Sequence, residues 1–229
     1  MKTIIIAEAG VNHNGKTKLI KKLIKIAADA KVDYVKFQAF NADQLVRKNS
    51  NKAEYQKLNT DPRETQYEML KKLELTKKQY NVIDQECKKR KIKYIYSPFD
   101  ETSLKIIKKF NLDFIKVPSG EIDNLPLLQE IAKLRKKIIL STGMSNLNEI
   151  KKTLNILTKK KFSKKNITLL QCNTDYPTKF EDVNLYSMLE MKKKLKLNVG
   201  LSDHTTGIEA SLAAVSMGAR IIEKHFTIN

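Results

Sequence analysis
The chain has 229 residues, 41% of them apolar, and sets 44 Lys and Arg against 25 Asp and Glu, a formal net charge of +19. That length is ample for one large hydrophobic core, and no apolar run is long enough to span a bilayer. Cys87 and Cys172 lie far apart without CxxC spacing, which excludes a disulfide scaffold and fits a reducing cytoplasm.

Residues 1–9 lack the pattern of a signal peptide, because charge and polarity return at Glu8 and Asn12. From there short β-rich runs alternate with longer amphipathic stretches. Strands are predicted at 3–7, 34–37, 93–96, 114–117, 137–140, 168–170, 199–201 and 220–222. Helices are predicted at 19–30, 77–91, 102–110, 125–134, 147–159, 186–195 and 208–217. In the first of these, Leu19, Leu23, Ile26 and Ala27 make the apolar stripe of a helix lying on a sheet. Regular β/α alternation predicts parallel strands, and eight of them predict an α/β fold of the closed (βα)8 TIM-barrel type. The connection 41–76 exceeds what a barrel unit needs and reads as a lid or an interface excursion, carrying Tyr55 and Tyr67. The pattern ends at Asn229 without an eighth helix, so the chain reads as a fragment whose first and last strands lack cover on one flank.

The basic charge invites a nucleic-acid reading. Only five of the basic residues are arginines, the side chain that base and phosphate readers favour. The lysines are scattered over helical faces, and a codon bias explains them more simply. No nucleic-acid or membrane partner is expected, although a basic field can concentrate an anionic substrate.

Active sites of such barrels lie at the carboxyl ends of the strands. Those ends read Glu8-Ala9-Gly10, Lys36-Phe37-Gln38, Ser97-Pro98-Phe99, Lys116-Val117-Pro118-Ser119-Gly120-Glu121, Ser141-Thr142-Gly143, Cys172-Asn173-Thr174-Asp175-Tyr176, Ser202-Asp203-His204 and Glu223-Lys224-His225. Lys36 and Lys116 emerge from apolar strands, where an unpaired charge is costly and a phosphate or carboxylate would relieve it. Ser97, Ser119, Ser141, Thr174 and Ser202 offer hydroxyls. His204 and His225 sit just past consecutive strands about 5 Å apart, close enough to share one divalent ion. His13 reads as a turn residue and Cys172 as a small packing residue.

These motifs together resemble the bacterial sialic acid synthases, with strand-one and strand-two ends closer to the legionaminic than to the neuraminic branch. The resemblance covers every strand end and implies that residues 1–229 form a phosphoenolpyruvate-condensing barrel. It implies a transferase joining phosphoenolpyruvate to an N-acetylated amino sugar, with release of phosphate and formation of a nine-carbon keto sugar acid. In that scheme His204 and His225 hold Mn2+ or Mg2+. Lys36, Lys116, Ser97, Ser119, Ser141 and Ser202 grip phosphoenolpyruvate, with Thr174 beside them. Glu8, Gln38 and Tyr176 contact the sugar, and Glu121 handles the water. Glu121, Lys116 and Glu8 are the expected catalytic groups.

Two departures stand out. Gln171 occupies the place of a histidine in the family's strand-six signature, so a proton-handling role there is lost. The family's last helix and its small antifreeze-protein-like domain, which reaches across a homodimer, are absent from the sequence, which predicts poor turnover by this chain alone. Competing readings are another phosphoenolpyruvate-using aldolase-type barrel and an inactive remnant of a truncated gene.

Overall fold
Alternation along each strand decides which side chains face the barrel axis and which face the helices. The computed structural model describes residues 2–53, 56–57, 60–159 and 162–228. The strands are β1 (Ile4–Gly10), β2 (Tyr34–Ala39), β3 (Lys93–Pro98), β4 (Phe114–Val117), β5 (Lys137–Ser141), β6 (Ile167–Cys172), β7 (Asn198–Asp203) and β8 (Ile221–His225). They form one eight-stranded sheet in the order β3-β2-β1-β8-β7-β6-β5-β4, and every ladder is parallel. β3 and β4 pack side by side, which brings the ring nearly to closure. The expected barrel is present.

Nine helices are described: α1 (Thr17–Asp29), α2 (Ala42–Leu45), α3 (Gln66–Leu73), α4 (Lys77–Arg90), α5 (Glu101–Ile107), α6 (Leu125–Lys133), α7 (Leu147–Leu157), α8 (Leu185–Leu195) and α9 (Glu209–Ser216). Capping boxes at Thr65/Glu68, Thr76/Gln79 and Asn146/Glu149 start α3, α4 and α7 by satisfying otherwise orphaned first-turn N–H groups. The buried face of α1 is Ile20, Leu23, Ile24 and Ala27, so the stripe is rotated from the expected one and Leu19 and Ile26 fall at its margins. Both sets obey helical spacing, and the sheet's position selects between them.

The apolar interior has two parts. The larger lies between strands and helices, where Val35, Phe37, Ile115, Val117, Leu140, Leu169 and Val199 meet Ile20, Leu23, Ile83, Leu128 and Leu154. The smaller is the floor inside the barrel: Ile6, Tyr34, Ile95, Phe114, Ile139, Leu170 and Ile221. Each strand except β7 gives this floor one side chain. At the matching position β7 has Gly200, where a Cβ would lie 2.2 Å from the Ile221 carbonyl oxygen and 2.8 Å from Leu170 Cδ2. The glycine lets β8 and Leu170 close over it.

The strands run past most of their expected ends, because outward-facing residues such as Ala9 and Ala39 remain buried while the inward-facing ones turn polar. Glu8 and His225 are therefore strand residues, and only His204 lies just beyond its strand. The 41–76 excursion carries α2 and α3; its start is tied to the barrel where Asn41 N–H donates to Asp100 Oδ2 (2.7 Å), and to its own end where Ala42 N–H donates to Glu74 Oε2 (3.3 Å). Tyr67 donates to Asp43 (2.6 Å); Tyr55 lies outside the described residues. On the flank expected to lack cover, Ile5 on β1 and Ile208, Leu212 and Val215 along α9 are exposed.

Gly200→Ala should destabilise the protein by about 3 kcal/mol, because neither the β8 backbone nor Leu170 can give way freely. Gly120→Ala, with nothing within 4 Å of the added methyl, should change stability by less than about 0.5 kcal/mol. Urea midpoints compared with wild type check both.

Candidate functional site
Above the apolar floor, the next inward-facing positions are polar on most strands. Register sets Glu8 opposite both Lys36 and His225, and Ser202 opposite both Cys172 and Glu223. The resulting cavity, of about 360 Å3, opens at the carboxyl ends of the strands. Every side chain singled out from the sequence lines it: Glu8, Lys36, Gln38, Ser97, Lys116, Ser119, Glu121, Ser141, Thr174, Tyr176, Ser202, His204 and His225.

The two lysines are buried, as expected, but their partners are the protein's own carboxylates. Lys36 Nζ lies 3.0 Å from Glu8 and 3.5 Å from Glu223, and donates to Ser97 Oγ at 2.8 Å. Lys116 Nζ meets Glu223 at 2.8 Å. The relief sought from a bound anion is thus supplied internally. Glu223 was missed as a site residue by the sequence reading, although it lies two residues before His225 and so on the same face of β8. Strand periodicity was the signal that could have found it.

Burial and charge act against each other in this cluster. Burial raises the Glu8 pKa despite Lys36 beside it. Burial alone would also raise Glu223, but Lys116 and then Lys36 hold it far below the carboxylate range. Lys36 is raised because Glu223 and Glu8 outweigh its desolvation, whereas desolvation prevails at Lys116 and lowers it. Two carboxylate oxygens, Glu8 Oε2 and Glu223 Oε2, and the Ser141 hydroxyl are buried without a hydrogen-bond partner. Buried acceptors that no group of the chain satisfies are completed by donors from outside it, water or a polar ligand.

The hydroxyls have distinct settings. Ser119 Oγ accepts from the Gly143 N–H (3.0 Å) and lies 3.1 Å from Cys172 Sγ. Ser202 donates to Glu223 (3.1 Å) and stands 3.2 Å from His204 Nε2. Glu121 accepts from Asn124 Nδ2 (2.6 Å), and burial raises its pKa. Gln171 donates instead to the Val183 carbonyl, on the α8 side of β6.

His204 and His225 face each other with ring centroids 5.3 Å apart. Tyr176 lies over His204 at 4.2 Å and meets His225 edge-on at 5.6 Å. Burial lowers both imidazole pKa values to about 4, so both rings are neutral near pH 7. His204 Nδ1 is 2.7 Å from the Asn173 carbonyl. That oxygen can only accept, so Nδ1 carries the proton and Nε2 keeps its lone pair, as in a histidine oriented to ligate a metal. The Asp203–Lys224 pair (2.9 Å) locks the two strand ends that carry the rings. Among the described residues no group of three or more His, Cys, Asp or Glu side chains forms a metal cluster. Two neutral imidazoles with one tautomer fixed from outside still fit a divalent ion with open positions for substrate or water.

His13 makes no contribution to this pocket. It is fully buried, and its Nδ1 accepts from the Gly15 N–H at 3.0 Å within the β1–α1 turn.

Fold and site together define a (βα)8 barrel with a charged, histidine-bearing pocket at the strand ends. The chain belongs to the NeuB family, whose profile matches residues 23–229. It is 52% identical over 228 residues to the N,N'-diacetyllegionaminic acid synthase of Campylobacter jejuni, covering 100% of this chain and 68% of that protein. It is 42% identical to the Legionella pneumophila protein of the same name, covering 100% and 65%. The N-acetylneuraminic acid (sialic acid) synthetase of Leptospira borgpetersenii superposes with a TM-score of 0.86 at 34% identity, over 100% of this chain and 74% of that one. The chain thus spans about two thirds of the length of these two curated relatives. Among the described residues no helix is long and apolar enough to cross a membrane.

Glu223→Gln should cost roughly 3 kcal/mol of stability, because it leaves two buried ammonium groups short of a counter-charge. Inorganic phosphate should restore more stability to the variant than to wild type. Denaturation with and without phosphate checks this. Folding lowers the pKa of His13, His204 and His225 from 6.5 to about 4, so the unfolded chain binds more protons between those values. Stability fully present above pH 6.5 should therefore fall as pH drops towards 4. A pH series of melting temperatures checks the slope, and NMR should show no imidazole titrating near its ordinary value.

Proposed function
We propose that this chain is the barrel of a phosphoenolpyruvate-condensing synthase that joins phosphoenolpyruvate to an N-acylated amino sugar. The product is a nine-carbon keto sugar acid of the sialic or legionaminic type, and phosphate is released. The observation that carries this reading is the convergence of paired buried lysines, a ring of serine hydroxyls and a neutral histidine pair in one cavity at the strand ends. The two relatives named for a diacetyllegionaminic acid product support an acceptor bearing two acylamino groups.

Lys36 and Lys116, with Ser97, Ser119, Ser141 and Ser202, take the phosphate and carboxylate of phosphoenolpyruvate. Thr174 adds a hydroxyl at the rim. Charge that develops there meets donors already in place, so little reorganisation is needed during reaction. Glu8, Gln38 and Tyr176 orient the sugar so that its aldehyde carbon faces the enol carbon, which forms the new C–C bond. Water adds at the enolpyruvyl C2, and phosphate leaves by C–O cleavage. Glu121, with a pKa raised by burial, is suited to accept the proton of that water. His204 and His225 would hold Mn2+ or Mg2+, which when bound supplies Lewis-acid polarisation of the sugar aldehyde.

The buried, unpaired thiols of Cys87 and Cys172 support a reducing, cytoplasmic setting. The proposal includes homodimeric assembly of a full-length protein that carries a further domain.

Calorimetry should show saturable phosphoenolpyruvate binding and a separate Mn2+ site. The His204→Ala/His225→Ala double variant should lose the metal site while staying folded by circular dichroism. A folded wild-type chain that binds neither ligand would sink the reading.

A further inference from the structure
The 41–76 excursion puts side chains into the cavity that the proposed chemistry leaves unused. Leu45, Val46 and Leu70 line it half-buried, yet none of them belongs to, or packs against, either apolar core. Among the described residues they turn part of their apolar surface to the cavity, outside both cores. Beside them, Gln56 and Gln66 also line the cavity.

The backbone fixes how these amides point. Ala53 N–H donates to Gln56 at 3.0 Å, so the atom it meets is the side-chain oxygen. Gln66 Nε2 donates to that same oxygen at 3.3 Å. Both lone pairs of Gln56 Oε1 are thereby engaged, and what Gln56 offers a ligand is its amino group. The roof that carries the pair is preformed. Lys52 is buried inside it, bonded to Thr60 Oγ1 at 2.8 Å and to the Asp61 carbonyl, and Gln66 N–H donates to the Ser50 carbonyl at 3.0 Å.

An apolar wall and an N–H donor lining one cavity match an acylamino substituent. The acyl methyl would cover the wall, and the acyl carbonyl would accept from Gln56 Nε2. A bare hydroxyl leaves the wall wet, and a phosphate is better served by the lysines below. We propose that Leu45, Val46, Leu70, Gln56 and Gln66 form a subsite that recognises an acylamino group of the sugar acceptor and so sets which acceptors are taken. The inference rests on the synthase reading above and adds to it the residues that read the acyl group.

Gln56→Glu is the sharp variant. It keeps an oxygen for the Ala53 N–H and for Gln66, and replaces the donor with an acceptor that repels a carbonyl. The probes are N-acetylmannosamine and a diacetamido hexose, followed by saturation-transfer NMR on the acetyl methyls with phosphoenolpyruvate and Mg2+ present. With wild type, at least one acetyl methyl should saturate strongly. With Gln56→Glu that methyl should lose its signal and the probe's Kd should rise at least about tenfold, while phosphoenolpyruvate affinity stays within about twofold. Leu70→Asn, checked for folding by circular dichroism, should weaken the same probe by a similar factor.

Two results would overturn the proposal: both variants fold and bind the probe as wild type does, or wild type binds phosphoenolpyruvate without saturating any acetyl methyl. Failure of wild type to bind phosphoenolpyruvate would instead defeat the synthase reading, and this subsite with it.

Discussion

Four charges buried at the top of the barrel, Glu8, Lys36, Lys116 and Glu223, constrain everything around them. Each is at most 3% exposed, and any one left alone would cost several kcal/mol. The cluster is tolerable because Glu223 Oε1 faces both lysines and Ser202 at once. Buried ion pairs contribute little net stability relative to apolar isosteres of the same shape. What this one provides is a balanced cavity in which an internal carboxylate already occupies the kind of partner an incoming anion would be. The sealed apolar floor from Ile6 to Ile221 beneath it excludes water from below and keeps those charges strongly coupled.

Floor and roof are built by different means. The floor and the polar layer come from strand residues whose directions are set by ladder hydrogen bonds, so their side chains are held by the most rigid part of the molecule. The roof is a single excursion held to the barrel by Asp100 at the Asn41 N–H and closed on itself by Glu74 at the Ala42 N–H. Within it the buried Lys52 ties Thr60 to the Asp61 carbonyl. Rigid strand ends suit chemistry that needs fixed donors, and a separately anchored roof suits discrimination among acceptors.

Much of this was legible in the sequence. The β/α alternation located the strands and most of the helices, and the polar strand ends named residues that the fold does bring to one cavity. What escaped had physical causes. Strand ends were placed too early because polarity was read as the end of the ladder, whereas backbone pairing continues through Glu8 and His225. Glu223 looks solvated in the sequence, an acidic residue beside a lysine and a histidine, until its face is counted from His225. The carboxylate partners of Lys36 and Lys116 are hidden in the sequence, because Glu8 and Glu223 lie more than a hundred residues from Lys116 and meet it only in the rolled-up sheet. Leu45, Val46 and Leu70 gave no signal, since nothing local says that an apolar side chain in a long connection faces a cavity.

β1 pairs with both β2 and β8, and the second pairing brings together strands more than two hundred residues apart in sequence. The bond from Asn12 Nδ2 to the Phe226 carbonyl closes a span of 214 residues, and that from Thr3 to the Ala219 carbonyl one of 216. Such contacts are among the slowest to form, because the entropy of closing the loop must be met before they return anything. Glu8 meets His225 only across this seam. During synthesis the lysines, the serines and most of the floor can be in place while the site is still open on one side. The histidine pair forms where β8 meets β7, but Glu8 reaches His225 only when β8 also meets β1, so the cavity is complete only once that seam has formed.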